Sequence, residues 1–217
     1  MAFYLLKMLY VQRSIAVMNY LAHAYLSFHH PDILVGNMIS DYVKGKQQYT
    51  YSVGIQQGIK LHRFIDHYTD HHPATRASAK LMSKAVGRYG NALTDVIYDH
   101  FLANDIREFK NDAALNDFAQ KTYTLLDQQQ AVMPEPFQLM LHVMRELNWL
   151  YHYRKPEGIK KSFMGVGRRA THLKSTESAF TLFEMEYTFL KECYFNLWDD
   201  LKLATQTELA NILNEEQ

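Results

Sequence analysis

Residues 54–70, GIQQGIKLHRFIDHYTD, decide the fold. Ile55, Ile59, His62 and Asp66 recur every three or four positions, so they share one side of a helix, and along that stripe apolar residues give way to titratable ones. His62, Asp66 and Asp70 stand at i, i+4 and i+8, which converges two side chains on one point. A carboxylate drawn inward with its apolar neighbours needs a histidine, an arginine or a metal ion beside it, because burying it unpaired is costly. The alternative is an i, i+4 ion pair, with Asp70 capping the helix that opens at Pro73.

The same helical period runs outward in both directions. Helices are predicted at 18–28, 31–44, 52–69, 73–86, 91–104, 112–130, 135–152, 157–173 and 176–213, with Pro31, Pro73 and Pro156 in first-turn positions and Gly45, Gly87 and Gly90 near helix ends. Tyr49 to Ser52 is the only weak strand signal. The predicted class is all-α, a single compact helical domain of 217 residues, long enough to bury a core without disulfide or structural metal. Cys193 is the only cysteine, which excludes a disulfide scaffold and a Cys-based zinc site and fits a reducing, cytoplasmic setting. Equal numbers of basic and acidic residues, 23 each, argue against a dedicated nucleic-acid binder, and no apolar run has the length of a membrane span. Residues 1–17 are apolar but interrupted by Lys7 and Arg13 and carry no convincing cleavage site; they read as an upstream extension, with the functional chain starting at Met18, or as a short N-terminal helix.

Charge is partitioned along the chain. No glutamate precedes Glu108, while the acids before it are seven aspartates, and eight of the eleven histidines lie in the same segment. Aspartate is a poorer helix former than glutamate, so aspartates in mid-helix need another reason to be there. Asp95 and Asp99 repeat the i, i+4 spacing in NALTDVIYDHFLAND (91–105), His100 adjoins Asp99, and apolar neighbours on nearly every side force at least one of these groups inward. Two helices presenting Asp and His inward make a cage for a divalent ion, and mixed imidazole and carboxylate ligands favour Mn, Fe, Mg or Zn. A polar cluster that only orients helices is the competing reading. His23 in NYLAHAYL and Asp41 in GNMISDYVKG lie in apolar stretches and extend the set; Gly36 and Asn37 are small enough to allow close helix approach. His29, His30, His71 and His72 sit beside prolines as caps or surface residues, and His142, His152 and His172 read as structural.

Taken in order, MNYLAHAYLS (18–27), GNMISDYVKG (36–45), GIKLHRFIDHYTD (58–70) and DVIYDHFLA (95–103) resemble the acyl carrier protein phosphodiesterase family, noncanonical relatives of the HD-type metal phosphohydrolases. Beyond residue 105 the similarity is diffuse, GVGRRA (165–170) being its clearest feature. Ordinary HD enzymes carry a contiguous His-Asp doublet, whereas the doublet here, Asp99-His100, runs in reverse. The resemblance implies an HD-like helical fold over 18–217 and hydrolysis of the phosphodiester joining 4'-phosphopantetheine to a serine of holo acyl carrier protein. It implies a divalent cation, manganese first with magnesium or iron as alternatives, and a metal and catalytic set of His23, Asp41, His62, Asp66, Asp99 and His100, with Asp95 behind them. A bound divalent ion lowers the pKa of water toward neutrality and offsets charge on the phosphoryl oxygens; His62 or His100, where not a ligand, is the expected proton donor to the serine oxygen. Arg63 is a further catalytic candidate because a guanidinium forks onto a phosphate, or else a surface arginine. Docking of an acidic carrier protein is expected at Lys44, Lys46, Lys60, Arg76, Arg168 and Arg169. Two other functions fit the residues: a metal phosphohydrolase acting on a nucleotide or small phosphoester, and a non-enzymatic helical binding module.

Overall fold

The computed structural model describes residues 19–170 and 175–214, the side chain of Arg169 excepted. The expected extension at 1–17 and His172 lie outside the described residues. Among the described residues eleven α-helices follow one another: α1 (Tyr20–Tyr25), α2 (Pro31–Ile39), α3 (Val53–His71), α4 (Pro73–Val86), α5 (Gly90–Ala103), α6 (Asp112–Gln128), α7 (Glu135–Glu146), α8 (Trp149–His152), α9 (Pro156–Arg169), α10 (Glu177–Met185) and α11 (Tyr187–Asn214). No strand occurs among the described residues, and Tyr49 falls in a 3-10 turn over Gly45–Thr50. No helix among them is long and apolar enough to cross a membrane.

Pro31, Pro73 and Pro156 each open a helix in its first turn, where a missing N–H costs nothing. The predicted cap on α4 changes hands: the His72 ring accepts from the Ala74 amide at 3.3 Å, and Asp70 instead receives Asn91 Nδ2 at 3.5 Å. Two predicted helices are broken. Asn148 adopts a left-handed conformation, φ 43°, and separates α7 from α8; a bend at Glu186 separates α10 from α11, and beside it Phe183 and Tyr187 both pack on His100. The predicted 31–44 helix ends at Ile39 and tightens into a 3-10 turn, Ser40–Tyr42, which carries Asp41.

Long α11 lies across α3 and α4, burying Tyr194, Leu197, Trp198 and Leu201. The contact that places the candidate site is between α2 and α3. A Cβ on Gly36 would meet Ile55 O at 2.1 Å, and one on Gly58 would meet Ile33 O at 2.4 Å, so the two helices touch backbone to backbone. Gly36→Ala is therefore expected to lower stability by about 3 kcal/mol, the upper range for overpacking, and Tm by roughly 5 to 10 °C. Thermal unfolding followed by circular dichroism checks this, and an unchanged Tm would show that the crossing relaxes freely.

Candidate metal centre

Close crossing of α2 and α3 sets His62 and Asp66, one turn apart on α3, against the C-terminal end of α2 and its 3-10 extension. Short α1 brings His23 alongside. The imidazoles of His23 and His62 stack with centroids 4.2 Å apart and planes at 21°. His23 Nε2 lies 3.1 Å from Asp66 Oδ1, His62 Nε2 lies 3.0 Å from Asp66 Oδ2, and Asp41 Oδ1 stands 3.4 Å from the same His62 nitrogen. Both histidines are buried, whereas Asp41 and Asp66 keep a share of their surface in solvent, so the carboxylates form the open side.

The decisive detail is direction. Despite these short separations, neither buried Nε2 makes a properly directed hydrogen bond to any partner. Buried polar atoms left in that state cost free energy unless something else occupies their lone pairs. One ligand atom from each of His23, His62 and Asp66 lies within 4.8 Å of the others, which is the donor set and spacing that hold a divalent cation. These three residues can hold a metal ion.

Electrostatics favour the same occupant. Burial opposes charging His62, but Asp41 and Asp66 outweigh it and lift its pKa from 6.5 to about 9. Burial likewise works against ionised Asp66, yet His23 and His62 hold its carboxyl well below the usual carboxylate range. Asp95 is half-buried, and desolvation and the charges of Asp66, Asp70, Asp99 and Asp41 push its carboxyl well up. A cation inserted among these groups removes most of that mutual repulsion.

Three expected members are placed elsewhere. Asp99 does not face the histidines: its fully buried carboxylate accepts from the amides of Leu21, at 3.0 Å to Oδ2, and Ala22, at 2.9 Å to Oδ1. It secures the first turn of α1, whose N–H groups have no intrahelical partner. His100 donates from Nδ1 to Tyr153 O at 2.7 Å and accepts at Nε2 from the Tyr187 hydroxyl at 3.0 Å, so both ring nitrogens are taken. Burial lowers its pKa and keeps the ring neutral. Arg63 is exposed and donates to Gln48 Oε1 at 2.7 Å, tying α3 to the Gly45–Thr50 turn. The structure brings His23, Asp41, His62 and Asp66 together as neighbours; the sequence reading missed the role of Asn37, whose polar atoms touch both histidines, although an asparagine inside the apolar run PDILVGNMI was a visible signal.

Asp99→Ala is expected to cost about 3 kcal/mol, since two buried amides lose their acceptor, while Asp99→Asn keeps an acceptor and costs less. Paired thermal melts test this; equal stability of the alanine variant and the wild type would remove Asp99 from its anchoring role.

Comparison with known proteins points in one direction. A family model described as acyl carrier protein phosphodiesterase matches residues 18–201. The acyl carrier protein phosphodiesterase of Photorhabdus laumondii is 29% identical over 170 residues, covering 78% of this chain and 86% of that protein. Those of Serratia proteamaculans and Yersinia enterocolitica are 27% and 28% identical, covering 85% and 87% of this chain and 95% and 98% of their own lengths. No solved structure matches the chain. The matched span contains His23, Asp41, His62 and Asp66, and the chain belongs to the acyl carrier protein phosphodiesterase family.

Proposed function

We propose that this protein hydrolyses the phosphodiester between 4'-phosphopantetheine and a serine of holo acyl carrier protein. Water adds to phosphorus, the bond from phosphorus to the serine oxygen breaks, that oxygen takes up a proton, and apo carrier protein and 4'-phosphopantetheine leave. The observation that carries this reading is the convergence of two orphaned imidazole nitrogens on one carboxylate in a chain of this family. His23, His62 and Asp66 would hold a divalent cation, with Asp41 beside them; the mixed nitrogen and oxygen set suits manganese, with magnesium or iron as substitutes. When bound, the cation supplies positive charge for the phosphoryl oxygens and a more acidic water.

The protein's own groups do the rest. Asp41 and Asp66 present carboxylate oxygens on the open side of the centre, where they orient water by accepting its protons. Burial and the neighbouring carboxylates push the Asp95 carboxyl up, which lessens the negative charge it sets against an anionic substrate. Lys44, Lys46, Lys60, Arg76 and Arg168 are exposed, the first two in the turn just after Asp41, and they would steer an acidic carrier protein. Turnover should then be salt-sensitive: kcat/KM on the carrier protein is expected to fall about tenfold between low and high ionic strength, and a flat profile would rule out this docking face. We place the reaction in the cytoplasm, a reducing compartment compatible with the free, buried Cys193.

Intact-mass spectrometry of holo carrier protein incubated with the protein and manganese tests the function directly. Conversion to the apo mass is expected with wild type, and none with EDTA or with Asp66→Ala. Folded wild type that holds manganese and leaves the holo mass unchanged would defeat the reading; faster turnover of nucleotides would replace it with a small-phosphoester hydrolase.

A further inference from the structure

A histidine binds a cation through one nitrogen, and which nitrogen is free depends on what the other one holds. Here both second nitrogens go to the same residue. His23 Nδ1 is 2.7 Å from the side-chain oxygen of Asn37, and His62 Nδ1 is 2.8 Å from the Asn37 main-chain oxygen. A carbonyl oxygen can only accept, so His62 must donate from Nδ1. The Asn37 amide is equally constrained: its Nδ2 donates to His23 O at 2.8 Å and to Ser27 Oγ at 3.1 Å, so its Oδ1 is the atom facing the His23 ring, and that ring too must donate from Nδ1.

Asn37 is fully buried and stands in the last turn of α2, where carbonyls run out of intrahelical partners. Its neighbour Gly36 gives the backbone contact with α3 that brings the Asn37 carbonyl within reach of His62. We propose that Asn37 is the positioning residue of the metal centre: through one side-chain oxygen and one main-chain oxygen it holds both histidines as Nδ1–H, which leaves Nε2 of each ring as the nitrogen available to a cation beside Asp66. This rests on the cation-binding reading above, but its first test needs no cation.

Nitrogen NMR of the ring nitrogens in the full-length, metal-free protein, followed to alkaline pH until each ring shows a single proton, should show Nδ1–H for His23 and for His62. Nε2–H at either ring in the wild type would overturn the proposal. In Asn37→Ala the main-chain carbonyl survives, so His62 should keep its tautomer while His23 becomes a mixture, and manganese affinity, read by electron paramagnetic resonance, should fall 10- to 100-fold. Asn37→Asp retains an acceptor facing His23 and should recover affinity to within about tenfold of wild type. A merely structural role predicts something else: equal loss of affinity in both variants, tracking their thermal stability, would overturn the assignment. Should Asn37→Ala not fold, the wild-type tautomers and the Asp variant decide. Wild type that binds no manganese would defeat the proposed function while the tautomers still settle the role of Asn37.

Discussion

Asp66→Ala is expected to abolish manganese retention and to lower kcat/KM on holo acyl carrier protein by about a thousandfold or more, with the fold intact. Both imidazole Nε2 atoms approach this one carboxylate, so its loss removes a ligand and the group that balances the other two. Lewis-acid charge stabilisation is worth several kcal/mol, and each 1.36 kcal/mol is tenfold in rate. Some stability should be lost as well, because Asp66 helps to raise the His62 pKa, but the side chain is 46% exposed and pins no helix end, so the protein still folds. Electron paramagnetic resonance of manganese, steady-state kinetics and a thermal melt on one preparation give the three readouts. An Asp66→Ala protein that still retains the cation or turns over at the wild-type rate would dismantle the assigned centre.

Metal affinity should rise about a hundredfold between pH 7 and pH 9 and then level off, because a cation must displace the proton from His62. In the metal-free protein Asp41 and Asp66 overcome the burial penalty and raise that proton's pKa to about 9. Each pH unit below it costs about tenfold in apparent affinity. Asp66, held low by its two histidines, stays ionised throughout and adds no slope. The sign for stability follows from the same shift: His62 gains a partner on folding, so its contribution is complete below pH 6.5 and is lost as pH climbs through about 9. Anaerobic manganese titrations across this range measure the effect. An affinity independent of pH would mean that His62 carries no proton in the free site.

How much of this the sequence reveals depends on the range of the interaction. Helix starts at Pro31, Pro73 and Pro156 are local events and are legible. The breaks at Asn148 and Glu186 carry no proline or glycine and are invisible to a periodic pattern. His62 and Asp66 belong together by spacing alone, on one helix face. Asp99 and His100 obey the same inward-facing logic, but spacing says only that a polar group turns inward, never what it meets. Asp99 meets amides 77 and 78 residues earlier, and His100 meets a carbonyl 53 residues and a hydroxyl 87 residues later. Asn37 was read for its size, since its value as a donor and acceptor emerges only once α1 and α3 are packed around it.

The grip of Asp99 on α1 bears on how this chain becomes competent. Six residues make too short a helix to persist alone, so α1, and the placement of His23 with it, depends on its contacts with α5 and α2. The Leu21 and Ala22 amides should therefore exchange with solvent deuterium only through an opening that also scatters the centre, and their protection would report, residue by residue, how often the native molecule is momentarily without its candidate centre.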